Sequence, residues 1–384
     1  MEAAQNFSLV RRTPGAVGQT RPGVKRIVVG MVGETLELAR KNTQALAERR
    51  FRIGDHELCE PDYRQILWWA EAMHLSGEEV ILRLLRDSEA ALSELGFAGW
   101  SGGSSSVIEE GRLRHLVWDS RVLPLAEFHW EPGLQITGAA FLGPPDWSPS
   151  LQLRLPSLLT LGCAAVGLRQ LDLSRTPLLT KLWCGSYQLT ELDLTPVPLL
   201  TELHCERDEL TLFTLRCATV GLRQLDLSRT PLLTKLWCRH NQLTELDLTS
   251  VPLLTELSCS SNPLTELDLT SVPLLTELNC SSNRLTELDL TSVPQLTTLS
   301  CGSNPLTELD LTPVPQLTEL CCGSNRLTEL DLTPVPQLTT LSCESNQLTE
   351  LDLTPVPLLT ELRCWSNPLT ELDLTPVPLL TELY

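Results

Sequence analysis

From residue 158 to residue 384 the apolar positions recur in one fixed order. Leucine stands at x and x+3, a small apolar residue follows at x+5, and polar residues fill the gaps. The frame is L-x-x-L-x-C-x-x-N-x-L-T-E-L-D-L-T-x-V-P-x, and the stretch from Cys280 to Leu299 is typical of it. The x, x+3, x+5 spacing turns three side chains inward across a short strand and its entry. One such unit cannot bury this face alone, so stability has to come from stacked neighbours.

The cysteines mark the period. They fall at Cys163, Cys184, Cys205, Cys217, Cys238, Cys259, Cys280, Cys301, Cys322, Cys343 and Cys364. Each gap is 21 residues, save the 12 between Cys205 and Cys217. Ten full units and one short unit thus cover residues 163–384. An inward cysteine behaves as a small hydrophobe. Strands stacked ~4.8 Å apart would line the sulfurs up as an internal ladder. Stacked inward thiols point in parallel, so we expect a reduced, packed ladder rather than disulfides. A 21-residue spacing is not a C-x-x-C ligand pattern, and no metal is expected.

Asparagine holds the turn position at Asn241, Asn262, Asn283, Asn304, Asn325, Asn346 and Asn367. An amide there can satisfy backbone groups of adjacent turns, as a second structural ladder. The later half of each unit carries Thr-Pro-Val-Pro or Thr-Ser-Val-Pro. Proline removes a backbone donor and stiffens the return. Short strands or extended turns are expected there, not long helices.

The stretch LTELNCSSNRL resembles the leucine-rich-repeat segment L-x-x-L-x-L-x-x-N-x-L, with Cys280 in the place of its third leucine. LTELDLTSVPQL repeats the spacing within the same unit, which resembles the nested 21-residue bacterial class called IRREKO. The resemblance covers 222 of the 384 residues. It implies a leucine-rich-repeat solenoid, mainly β, with parallel stacked strands and few or no convex helices. It also implies a binding scaffold rather than a particular function.

By the family's geometry, the outward strand positions form a concave binding face. On the early strands they gather Lys181, Trp183, His204, Lys235, Trp237, Arg239 and His240. Large aromatics and arginine are enriched at interface hot spots. This cluster is the candidate partner-binding patch, with Trp183 and Trp237 first. Against it stands packing of the two rings on a neighbouring loop or the amino-terminal cap. Later strands carry smaller residues.

The short unit CERDELTLFTLR (205–216) breaks the regular pattern. Segments 163–184 and 217–238 differ only at Ala165 and Thr219, so a block duplication with an imperfect join accounts for the break. A local kink or bulge is expected near 205–217, as a tolerated scar or as a hinge or docking notch. No polar capping repeat stands before Tyr384. Solenoids normally need such caps, which leaves a tolerated edge, self-association through it, or truncation.

Ahead of the repeats, residues 1–23 read as a flexible terminus and 24–98 as an α-helical domain. A helix is expected over Ile27–Arg50, and another opens at Pro61 through DYRQILWWAEAMHL. Ser76 with Glu79 forms a capping box for a third, over GEEVILRLLRDSEAALSEL, closed by Gly96. The second and third superficially resemble a helix-turn-helix. The first of that pair is not basic, and Trp68 and Trp69 fit a core. Residues 99–106 form a Gly/Ser linker and 107–157 a β-rich cap, with the repeats over 158–384.

Charge narrows the function. The net charge is −19. Residues 158–384 hold 12 Lys and Arg against 28 Asp and Glu, a net −16, so the acidity belongs to the repeats. Nucleic-acid binders rely on Lys and Arg, and no nucleic-acid partner is expected. In each LTELDL the Glu and the Asp should face outward together. The rows include Asp247, Asp268 and Asp289 and Glu245, Glu266 and Glu287. They can serve as a solvated face, a cation site, or a docking surface for a basic partner.

No stretch is apolar enough for a membrane span, and the start shows no secretory signal. With reduced cysteines, this points to the cytoplasm. There is no phosphate loop, H-E-x-x-H or G-x-S-x-G. Cys59 lies three residues from His56, but acidic neighbours disfavour a thiolate. No enzyme, cofactor or metal is expected. The leading reading is a non-catalytic bacterial scaffold for protein–protein interaction. The alternatives are a targeting arm for an enzymatic or regulatory amino-terminal domain, and a structural protein that assembles through its carboxy-terminal edge.

Overall fold

The computed structural model describes residues 49–86, 106–123 apart from 111, 125, 127–143, 147, 149, 151–163, 167–184, 189–205 and 221–384. The expected helix at 27–50 and most of the short unit, with Cys217, lie outside the described residues.

Among the described residues fourteen strands form one sheet. An antiparallel pair opens it, β3 (Val107–Glu109) and β4 (Arg112–Asp119). From β4 onward every neighbour is parallel. β5 (Gly138–Leu142) follows, then the short strands β6 (Thr160–Gly162), β7 (Lys181–Trp183), β8 (Glu202–His204), β9 (Lys235–Trp237) and β10 (Glu256–Ser258). The series continues through β11 (Glu277–Asn279), β12 (Thr298–Ser300), β13 (Glu319–Cys321), β14 (Thr340–Ser342), β15 (Glu361–Arg363) and β16 (Glu382–Leu383). Strand order in space is sequence order, as stacked turns require. The cap and the solenoid therefore share a single sheet.

The regular inner turns bury the same set. Around β11 these are Leu275, Leu278, Cys280, Leu285, Leu290 and Val293, all 2% exposed or less. They join one apolar core that runs from Ile53 to Val377. Thr276 lies just ahead of the strand, and its hydroxyl donates to Thr255 O one turn back at 3.0 Å. This threonine row continues on both sides. The later half of each repeat is extended with two tight turns and no assigned strand or helix.

One spacing differs from the sequence reading. β8 pairs directly with β9 in register, Leu203 opposite Leu236, although 33 residues separate them. Residues 206–220, with the L-x-x-L-x-C motif at 212–217 and most of the stretch where a kink or bulge is expected, lie outside the described residues.

The amino-terminal described residues sit on the first turns. β1 (Arg50–Ile53) and β2 (His56–Cys59) form a hairpin that the sequence reading did not anticipate. Gly54 takes a φ of +55° in its turn, a conformation glycine adopts without steric cost. Helix α1 (Glu60–Ala72) has a proline in its first turn, and α2 (Gly77–Leu84) has the Ser76–Glu79 capping box. α2 stops at Leu84, well short of Gly96. Trp69 is fully buried against Trp118 at 4.9 Å, and Trp130, Phe128 and Phe141 complete an aromatic core. Buried Asp62 accepts from Leu113 N at 2.9 Å and faces Arg112 at 3.4 Å. Gln65 donates to His129 O and accepts from Glu131 N. Both helices are thus joined to the cap by apolar packing and satisfied polar groups.

Candidate functional site

The strand face has two outward rows, one at each end of the three-residue strands. The first reads Lys181, Glu202, Lys235, Glu256 and Glu277 over β7 to β11. Lys181 pairs with Glu202 at 2.7 Å, and Lys235 with Glu256 at 2.6 Å. The Glu256 carboxylate holds the Lys235 ammonium above its ordinary pKa. Exposed pairs of this kind stabilise little. Their larger effect is to fix both lysines along the sheet.

The second row brings Trp183, His204 and Trp237 together in a stack. Trp183 and His204 lie 4.8 Å apart, and His204 and Trp237 3.8 Å. The stack exists because β8 and β9 are neighbours. Burial between two indoles pushes His204 down to about 3, and Arg239, Lys235 and Lys181 push the same way. The imidazole is therefore neutral at physiological pH. Lys235 Nζ lies 5.6 Å from the Trp237 ring, a weak cation–π contact.

Trp183 is 3% exposed, so it supports the stack from within and offers no contact surface. Trp237 and His204 are partly exposed. Arg239 and His240 follow on the turn after β9, where His240 has a φ of +55°. The same left-handed position is taken by Ser261, Ser282, Ser303, Ser324, Ser345 and Ser366. Among the later outward residues, Trp365 is 53% exposed.

The ladders occupy the turn after the strands. Cys163, Cys184, Cys205, Cys238, Cys259, Cys280, Cys301, Cys322, Cys343 and Cys364 are buried. Cys205 N donates to Trp237 O, so Cys205 and Cys238 are adjacent rungs among the described residues. Burial pushes the thiols of Cys163, Cys259 and Cys301 up to about 12, which makes thiolates scarce. From Asn241 to Asn367, each asparagine accepts from a leucine N–H one turn back and donates to two cysteine carbonyls.

A groove runs along the other side of the solenoid, lined by the Glu-Leu-Asp segments from Gln224 to Asp373. Its floor is a leucine row whose middle members, Leu267, Leu288, Leu309 and Leu330, are only partly buried. Glutamates form one wall and aspartates the other, both exposed. Each aspartate also shapes its own turn. Asp268 Oδ1 accepts from Thr270 N at 2.8 Å, and this bond holds its carboxyl below the usual range. The sequence shows the charge rows, but the exposure of the leucines between them depends on how far the turns separate.

Cys59 is buried with its Sγ 3.9 Å from Glu110 O, a poor position for a nucleophile. Among the described residues no three His, Cys, Asp or Glu side chains converge as a metal site. No described helix is long and apolar enough to cross a membrane.

No family model matches the chain, and no curated protein is similar to it. Solved structures are. The functional domain of InlJ from Listeria monocytogenes, which includes a cysteine ladder, is 32% identical, with a TM-score of 0.55. That match covers 78% of this chain and 68% of that one. The internalin InlF of the same species shares the fold at 17% identity and a TM-score of 0.55, over 79% of this chain and 96% of that one. YopM from Yersinia enterocolitica shares it at 22% and 0.52, over 84% of this chain and 71% of that one. The chain belongs to the leucine-rich-repeat proteins, and its repeat is 21 residues long.

Proposed function

We propose that the chain is a non-catalytic scaffold that recognises a protein partner through the surface of its solenoid. The observation that carries this reading is the interruption of a repetitive face by a unique cluster. His204 and Trp237 stack across β8 and β9 beside two lysines fixed by ion pairs. A regular ladder offers the same groups at every turn, whereas recognition needs a place that differs. A bacterial and cytoplasmic setting goes with this reading. Bacterial relatives support the first, and the second rests on the expectation from the sequence that the cysteines stay reduced.

The test is site-directed photo-crosslinking with the full chain. A crosslinking residue replaces Trp237, Glu308 or, as a control on β2, Glu57. The reading expects a protein captured from position 237 or 308 and displaced by excess unlabelled chain. Displaceable capture from position 57 alone would overturn it.

A further inference from the structure

The groove on the Glu-Leu-Asp side has features that a solvated face does not need. Its floor leaves Leu267, Leu288, Leu309 and Leu330 partly open to solvent on successive turns. A partly open apolar row repeated on successive turns is a feature that interaction surfaces share. The glutamate and aspartate walls carry two negative charges per turn, and no basic residue lines the groove. Like charges in register repel one another. The aspartates stay ionised because backbone N–H groups hydrogen-bond to them. Water and salt screen part of this repulsion, and a counter-charge laid along the rows would relieve more of it.

The counter-charge is narrowed by geometry. The carboxylates stand in two parallel rows and do not converge, so a single divalent ion finds no ligand set among the described residues. A polycation laid along the rows meets all of them. An apolar floor between anionic walls selects a chain with both apolar and basic side chains. In an extended polypeptide successive side chains point to opposite faces, so apolar ones meet the floor while the long stems of lysine or arginine bend back over the chain to reach the walls. Eight turns at ~4.8 Å span roughly 35 Å, about eleven extended residues.

We propose that this groove docks an extended, lysine- or arginine-rich segment of a partner protein, with leucine-sized side chains on the floor and basic ones against the walls. This inference rests on the scaffold reading and adds the chemistry of the occupant. It names a surface different from the Trp237 patch.

The experiment measures binding of three labelled peptides of about eleven residues to the full chain by fluorescence anisotropy. One alternates Lys and Leu, one alternates Lys and Gly, and one alternates Glu and Leu. A variant carries Glu287→Gln, Glu308→Gln and Glu329→Gln, three exposed side chains that take no part in a described hydrogen bond of the fold. The Lys-Leu peptide should bind, and added salt should weaken it. The triple variant should bind it about ten-fold more weakly, as three weak ion pairs imply. The Lys-Gly peptide should bind more weakly than Lys-Leu, and the Glu-Leu peptide should not bind.

Equal binding of Lys-Leu and Lys-Gly would overturn the role of the floor. Unchanged binding by the triple variant would overturn the groove. Either failure leaves the scaffold reading standing if displaceable capture from position 237 persists. Loss of that capture too would sink both.

Discussion

Asn283 Oδ1 accepts the backbone N–H of Leu264, one turn back, at 3.1 Å. Its Nδ2 donates to Cys259 O at 3.1 Å and Cys280 O at 2.9 Å. One buried side chain therefore bonds four backbone groups on two adjacent turns, Ser281 O at 3.2 Å being the fourth. Removing it leaves the Leu264 N–H without its partner, whereas Cys259 O and Cys280 O still accept from Asn262 and Asn304. An orphaned buried donor costs about 1–3 kcal/mol. Asn283→Ala should lower unfolding free energy by about 2 kcal/mol in urea titration. A loss under about 1 kcal/mol would show that water replaces the amide.

The residue ahead of each asparagine is held in the left-handed region. Ser303 has a φ of +56°. For a residue with a side chain this costs roughly 1–2 kcal/mol, and glycine avoids the cost. Ser303→Gly should raise the denaturation midpoint by up to about 1 kcal/mol of stability. Ser303→Val should lower it, because a β-branched side chain fits this region worst.

Thiol reactivity should separate the cysteines. Cys321 is outward on β13 and half-buried, whereas Cys301 and Cys322 are fully buried. Alkylation of the native chain, read by peptide mass spectrometry, should label Cys321 well before either neighbour. Cys301 and Cys322 should react only after unfolding. Rapid native labelling of Cys301 would mean that the turns open locally.

Acid should destabilise the fold. The carboxyl of Asp268 lies below its ordinary value of 3.8, chiefly through the Thr270 N–H bond, while Asp247 and Asp289 act the other way. A folded-state pKa below the unfolded one gives stability that is present above the unfolded value. That stability is lost as pH falls through the folded value. The urea midpoint should therefore decline below about pH 4. Asp268→Asn keeps an acceptor for Thr270 and should retain neutral-pH stability with a flatter acid limb. A midpoint that rises on acidification would mean that charge repulsion outweighs the turn bonds.

Much of this architecture is legible in the sequence because each turn repeats the same local requirements. Leu278 and Cys280 read as inward by spacing alone, and Asn283 reads as a turn residue by its place in the frame. The direct pairing of β8 and β9 is not legible locally. Residues 212–217 match the strand motif and put a rung at Cys217, whereas β8 and β9 pair directly. That pairing also sets the contact between His204 and Trp237. For Trp183 the sequence leaves partner contact and packing on a neighbour both open, since an outward strand position can still be covered, and it is the packing that holds. The hairpin around Gly54 and Asp55 left only a two-residue turn signal between short mixed strands, and the partial exposure of Leu309 depends on the separation of turns.

The most direct measurement is hydrogen–deuterium exchange of the full chain, alone and bound to the protein captured by crosslinking. Partner binding through the solenoid predicts slowed exchange at amides within 224–373 or on β8 and β9. Protection confined to residues 49–157, with the solenoid unchanged, would contradict it.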